Sequence, residues 1–274
     1  MSLRNWVKSC VPPAVLARLR AIRARFAPPH PIQAFVYSDA REVREDIARK
    51  YGEVGDMLTY FAGHDVGVVH KWHHYIPLYE RYFAPYRGRP VRLLEIGVSK
   101  GGSLWMWRRY FGPDAVIYGI DIDPACAAYD GVAGQVRIGS QVDVAFLHRV
   151  VDEMGGVDIV LDDGSHLMEH LPVTLEALFG RLSDGGLYMV EDLHTAYWRE
   201  YGGGYGSRRN FFRYVDGIIA DMHRWYHRHK LVHPAVSARC TGIHIHDSMV
   251  ILEKGPVYPP VSSQVGTEAP ASPN

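Results

Sequence analysis

The chain has 274 residues, 47% of them hydrophobic, and its 30 basic side chains balance 30 acidic ones. That length supports one substantial core without requiring a second, and the neutral balance excludes a broadly basic nucleic-acid binder. Cys10, Cys126 and Cys240 are widely spaced and odd in number, which excludes a disulfide framework and a thiolate metal site and fits a reducing, cytoplasmic setting. Neither an apolar run of membrane-spanning length nor a secretory apolar region is expected.

Residues 1–26 carry Arg4, Lys8, Arg18, Arg20, Arg23 and Arg25 without an acid, interleaved with Trp6, Leu16, Leu19, Ile22 and Phe26. Pro12 and Pro13 suit the first turn of a helix from about Ala14 to Arg25, which Pro28 and Pro29 stop. Such a basic amphipathic element could rest on an anionic membrane surface, or pack on its own domain or on a second copy in a homo-oligomer. The expected organisation is this element over 1–30, a helical segment or lid over 31–90, an α/β domain over 91–255 and a Pro- and Ser-rich disordered tail over 256–274.

From residue 91, apolar runs alternate with helical spacing. Val91 to Val98 reads as a strand, Leu104 to Phe111 as a helix and Ala115 to Ile122 as the second strand. A short helix opens at Pro124, Val136 to Gly139 forms a third strand, and Val142 to Met154 is helical. A strand over 157–162, a helix over Met168 to Leu182 and a strand over 186–191 follow. This alternation specifies a doubly wound, mostly parallel α/β sheet. A long helix over Arg209 to His229 then precedes Ile243 to His246 and Met249 to Glu253, which close as a hairpin across Asp247-Ser248.

Two of these strands end in acids and then a histidine: Asp162-Asp163-Gly164-Ser165-His166 and Glu191-Asp192-Leu193-His194. Neighbouring parallel strands present such ends on one rim, where open α/β sheets bind ligands. Crowded carboxylates repel one another, and a divalent cation held by hard oxygen ligands relieves the repulsion. Asp162 and Asp163 could instead cap the following helix, and His166 could be structural, but the convergence on one rim favours a metal-dependent enzyme. Earlier in the chain, Gly97 and Gly101 let a ligand approach the backbone between strand and helix. Asp121, at the end of the second strand, is placed to accept hydrogen bonds from ribose hydroxyls, a role that suits NAD equally.

A parallel sheet finished by an antiparallel hairpin resembles the class I S-adenosylmethionine-dependent methyltransferases. Over about residues 50 to 255, Leu94-Glu95-Ile96-Gly97-Val98, Gly101-Gly102-Ser103, Gly119-Ile120-Asp121 and the two acidic strand ends resemble the metal-dependent natural-product sugar O-methyltransferases of the macrolide type (mycinamicin and macrocin). The resemblance implies a Rossmann-like seven-stranded sheet and two cofactors, S-adenosyl-L-methionine and Mg2+. It places Glu95, Gly97, Gly101, Ser103, Asp121, Gln141, Asp143 and Asp162 around S-adenosylmethionine. Gln141 or Asp143 would meet the adenine edge, although Ser140 also reads as a helix N-cap with Asp143 completing a capping box. Asp163, Glu191 and Asp192 would hold Mg2+, and His166 would be the general base. An N-terminal segment closing over the site would bring Lys71 and Tyr75 to the ligands. His194, and Tyr197 in a flexible aromatic loop, would face the acceptor.

The chemistry is consistent with that pattern. A sugar hydroxyl titrates far above neutrality, a divalent cation lowers the pKa of an oxygen bound to it, and a histidine can take a proton near neutral pH. The expected acceptor is a sugar hydroxyl of a glycosylated natural product, glycolipid or polysaccharide, a small molecule or glycan rather than nucleic acid. One alternative is a cephalosporin-hydroxylase-like oxidoreductase, for which the chain offers no convincing set of two histidines and one carboxylate. The other is a non-catalytic S-adenosylmethionine-binding module, against which Asp163, His166, Glu191 and Asp192 argue.

Overall fold

The computed structural model describes residues 39–52 and 55–266, together with Val15. Contacts divide the chain between Asp39 and Ala40, and the sheet with its flanking helices belongs to the unit that begins at Ala40. The basic element expected before residue 31 and residues 267–274 lie outside the described set, Val15 apart.

Three helices, α1 (Ala40–Tyr51), α2 (Gly55–Ala62) and α3 (Tyr75–Phe83), precede the first strand. The alternation then runs β1 (Arg92–Ile96), α4 (Gly102–Phe111), β2 (Val116–Asp121), β3 (Gln135–Ile138), α5 (Val144–Glu153), β4 (Val157–Asp162), α6 (His170–Phe179) and β5 (Leu182–Val190). After α7 (Phe211–Met222) and the short α8 (Pro234–Ser237), β6 (Cys240–His246) and β7 (Met249–Lys254) close the sheet. The seven strands lie in the order β3-β2-β1-β4-β5-β7-β6, with β7 antiparallel to both β5 and β6. This is the doubly wound sheet with a terminal hairpin that the alternation implies.

The side-chain period of two sorts the central strands between two apolar layers. Leu93, Ile159, Leu161 and Met189 pack with α1 to α4, whereas Leu94, Ile96, Val160 and Val190 pack with α5 to α7. Glu95 shares the face of Leu93, which buries its carboxylate under α4. Tyr79, Phe83 and Trp107 interlock there, with Tyr79 and Trp107 edge to face at 5.1 Å, and bind α3 to α4.

Strand register builds the functional rim. Ile96 lies opposite Ile120 on one side and Asp162 on the other, and Asp162 lies opposite Val190. Each strand's next residue is therefore Gly97, Asp121, Asp163 or Glu191, four neighbours at one sheet edge.

Two elements depart from expectation. β5 starts at Leu182 rather than at 186, through polar Ser183-Asp184-Gly185, with its register to β4 shifted between Val157 and Ile159. The helix expected over Arg209 to His229 ends at Met222. There the buried Asp221 accepts hydrogen bonds from the backbone N–H groups of Val232 and His233 and turns the chain back; those bonds outweigh burial and lower its pKa. Beyond β7, residues 255–266 carry no regular secondary structure. No helix among the described residues is long and apolar enough to cross a membrane.

Candidate active site

A cleft opens along the rim in two joined parts. A cavity of about 190 Å³ is lined by Ile96, Ile120, Ile122, Gly139, Gln141 and His170, and one of about 320 Å³ by Val68, Lys71, Ser103, Asp163, His166 and Asp192. Gly97, Asp121 and Gly164 border both. A larger cavity of about 460 Å³ beside Gly185 and Lys254 lies at the opposite ends of the strands, where no strand-end acids converge.

Gly97 has φ +96°, and a Cβ there would lie 2.1 Å from the Asp163 carbonyl oxygen, so only glycine lets β1 and β4 come this close. Gly102 passes under the chain at Val68, which bridges to Gly101 and carries residues 68–71 across the turn. Asp121 accepts hydrogen bonds from Val98 N and Ser99 N through one oxygen and from Asp123 N through the other. These backbone donors overcome burial and lower its pKa, so an anionic acid both holds the turn and faces the cleft.

Beyond the turn, three residues expected at the cofactor act beneath or beside the cleft. Glu95 is fully buried and accepts hydrogen bonds from Ser103 Oγ at 2.7 Å and Trp107 Nε1 at 3.1 Å; burial pushes it up to about 7. Asp162, also fully buried, accepts from Tyr188 Oη at 2.8 Å, and burial raises it to about 6. Asp143 is itself the N-cap of α5, accepting from Phe146 N, and does not line the cleft; the expected N-cap, Ser140, lies three residues before it because the helix starts at Val144. Gln141 does line the cleft, but its amide is engaged: Nε2 donates to Thr174 and Asp162 while Oε1 accepts from Ser165 N.

That last bond holds the turn carrying His166. His166 Nε2 lies 3.8 Å from Asp163 Oδ1 and 3.7 Å from Asp192 Oδ2, and ligand atoms of the three residues fall within 4.8 Å of one another. Its Nδ1 is buried with no hydrogen-bond partner, which leaves Nε2 as the nitrogen facing the carboxylates. The side chains of Asp163, His166 and Asp192 are 22%, 19% and 24% exposed, whereas that of Glu191 is 1% exposed. Glu191 accepts from the Tyr79 hydroxyl and from Lys71 Nζ at 2.7 Å, and burial raises its pKa. Lys71 also donates to Asp163 Oδ2 at 2.5 Å.

Asp192 is steadied by Trp72 Nε1 at 3.1 Å and Tyr75 Oη at 2.9 Å. Tyr75 is wholly buried and its hydroxyl also lies 2.9 Å from Ser248 Oγ, so it supports Asp192 rather than reaching an acceptor. His194 bonds Ser248 through Nδ1, packs edge to face on Trp198 at 4.8 Å, and has its pKa lowered by burial. Tyr197 turns away from the cleft toward Phe212. The expected flexible loop is instead tied by two 3-10 turns, Leu193–Tyr197 and Arg199–Tyr201, and by hydrogen bonds from Gly203 N and Gly204 N to Trp198 O and Ala196 O. Within it, the Tyr201 ring lies 6.3 Å from the His166 ring and 6.0 Å from Trp198. Trp72, between the expected Lys71 and Tyr75, also belongs to the site, as do Tyr79, His170 and Ser248, which lie outside the acidic motifs and enter only through tertiary contact.

Every described non-glycine residue with positive φ, namely Ser99, His166, Asp192 and Ser248, belongs to this region. Backbone strain of this kind is held by surrounding structure and concentrates at functional sites. Ser99 is exposed at φ +50°, and its hold on the turn runs through its backbone N–H to Asp121, a bond that glycine keeps. Ser99→Gly should therefore stabilise the fold by up to about 1 kcal/mol, a rise of about 2–4 °C in thermal melting.

The chain is similar in sequence and fold to proteins of known activity. The chain is 36% identical over 218 residues to an 8-demethyl-8-(2-methoxy-alpha-L-rhamnosyl)-tetracenomycin-C 3'-O-methyltransferase of Streptomyces olivaceus, covering 74% of this chain and 54% of that one. It is 43% identical over 138 residues to a mycinamicin VI 2''-O-methyltransferase of Micromonospora griseorubida, covering 48% and 34%. The solved structure of the methyltransferase MycE from the mycinamycin pathway, in complex with Mg, SAH and mycinamycin VI, superposes with a TM-score of 0.66 at 29% identity, covering 83% of this chain and 67% of that one. The chain is a homologue of the macrolide-sugar O-methyltransferases and carries the class I methyltransferase fold. It spans about half the length of the curated relatives it matches, 54% of the tetracenomycin enzyme. No protein-family model matches it. Within this methyltransferase fold, the glycine turn, Asp121 and the acidic rim occupy one continuous cleft.

Proposed function

We propose that the chain is an S-adenosylmethionine- and Mg2+-dependent O-methyltransferase that methylates a sugar hydroxyl of a glycosylated natural product, glycolipid or polysaccharide. The observation that carries this reading is the convergence of Asp163 Oδ1, Asp192 Oδ2 and His166 Nε2 beside a glycine-turn cleft. The donor set fits a hard divalent cation: carboxylate oxygens not bound by Lys71, Trp72 or Tyr75 face one another across an orphaned imidazole. When bound, S-adenosylmethionine supplies an electrophilic methyl group, and the cation lowers the pKa of the acceptor hydroxyl.

The chain's own groups do the rest. Asp163, Asp192 and Glu191 provide the anionic pocket, His166 Nε2 takes the hydroxyl proton, and Asp121 orients the ribose. Trp198 and Tyr201 offer ring faces to a sugar, while Trp72 and Tyr75 fix Asp192 from the N-terminal side. The reading extends to a cytoplasmic enzyme whose basic residues 1–26 contact an anionic membrane surface or a second copy of the chain. Transfer of labelled methyl from S-adenosylmethionine to rhamnosyl and macrolide glycosides tests it. EDTA should abolish transfer and added Mg2+ restore it; undiminished transfer in EDTA would overturn the metal-dependent account.

A further inference from the structure

Lys71 and Glu191 lie 120 residues apart in sequence and meet in the interior, with side chains 3% and 1% exposed. Glu191 has both oxygens engaged, one by the Tyr79 hydroxyl and the other by Lys71 Nζ. The same ammonium reaches Asp163 Oδ2 at 2.5 Å. Both contacts are ion pairs between the lysine ammonium and a carboxylate. A cation therefore already joins two of the three acids assigned to Mg2+, and it relieves the repulsion that a metal ion relieves.

We propose that Lys71 is a built-in competitor of the divalent cation, and that loading the metal onto Glu191 requires Lys71 Nζ to withdraw. The inference rests on the metal-dependent reading of the site. Magnesium demands oxygens at about 2.0–2.1 Å in near-octahedral order, and an ammonium held on Glu191 Oε2 repels a dication brought to the same oxygen. Withdrawal need not undock the surrounding segment, because Trp72 and Tyr75 anchor it to Asp192 independently. Lys71 lies in the non-helical stretch before α3 and borders the 320 Å³ cavity, so its flexible stem has space to move into. The lysine thus keeps the acids in place before metal arrives, at the expense of metal affinity.

Calorimetric titration of the full chain with Mg2+, wild type against Lys71→Met, tests this, with thermal melting in EDTA and in Mg2+ alongside. Lys71→Met should bind Mg2+ about tenfold more tightly, within the span typical of coupled sites. Its melting temperature in EDTA should fall, because paired carboxylates lose their counter-charge, and the rise on adding Mg2+ should exceed the wild type's. Unchanged or weaker Mg2+ binding by Lys71→Met, with wild-type binding intact, overturns the competitor role and makes Lys71 a support for the metal carboxylates. Absence of Mg2+ binding by both proteins, each folded by circular dichroism, removes the metal reading itself and this inference with it. Should Lys71→Met not fold, Lys71→Gln, which keeps a hydrogen-bond donor but no charge, is read by the same criteria.

Discussion

Replacing His166 with Asn is expected to lower the rate of methyl transfer by about 10²–10⁴-fold, the usual contribution of a positioned general base, while S-adenosylmethionine binding persists. Asn is the instructive substitution because His166 sits at φ +55°, a left-handed conformation that Asn tolerates and Ala resists. The turn, held by the Ser165 N to Gln141 bond, should then survive. What disappears is Nε2, the nitrogen poised between Asp163 and Asp192. Steady-state transfer rates paired with calorimetric cofactor binding separate the outcomes. Loss of both activity and cofactor affinity would indicate a collapsed loop, and retention of most activity would remove His166 from the base role.

Asp192→Asn is expected to weaken Mg2+ binding by about 100-fold or more, since loss of even a supporting partner of a metal ligand typically costs 10–100-fold. The change is nearly isosteric, and Asn again suits the local φ of +54°. Its side-chain oxygen can still accept from Trp72 and Tyr75, which contact Oδ1 alone. The altered property is therefore the charge and donor capacity at Oδ2, the atom turned toward His166. Raising the Mg2+ concentration should recover part of the lost rate if Asp192 is a ligand; a rate that stays low at saturating Mg2+ would instead assign it to acceptor positioning.

The sheet was legible because its apolar runs are long and bounded by glycine or acid, and the rim followed because register in a parallel sheet aligns strand ends. Boundaries failed where polar residues entered an element, as at Ser183-Asp184-Gly185, or where a tertiary bond cut a periodic stretch, as Asp221 does after α7. Within the site, sequence marked which residues bear charge but not what each carboxylate faces. Glu191 and Asp192 are adjacent, yet one turns into the protein toward Lys71 and Tyr79 and the other toward His166. Likewise Tyr197 and Trp198 are neighbours in an aromatic loop, and only packing against Phe212 or His194 tells them apart. Asp143 carried two readings, an adenine contact and the closing member of a capping box begun by Ser140, and it takes the N-cap position itself because the helix starts two residues later than its periodicity suggested.

The Tyr75 hydroxyl bonds Asp192, which follows β5, and Ser248, which sits in the final hairpin turn 173 residues beyond Tyr75. During synthesis the acids after β4 and β5 emerge before β7, the strand that must insert beside β5 to deliver Ser248. Long-range pairings of this kind form late, because loop closure must precede the contacts that reward it. A nascent chain thus lacks the Ser248 end of this brace until the final hairpin has left the ribosome. A chain shortened within the last hairpin, before Ser248, would keep Asp163, Glu191 and Asp192 while losing the far end of the brace behind Asp192.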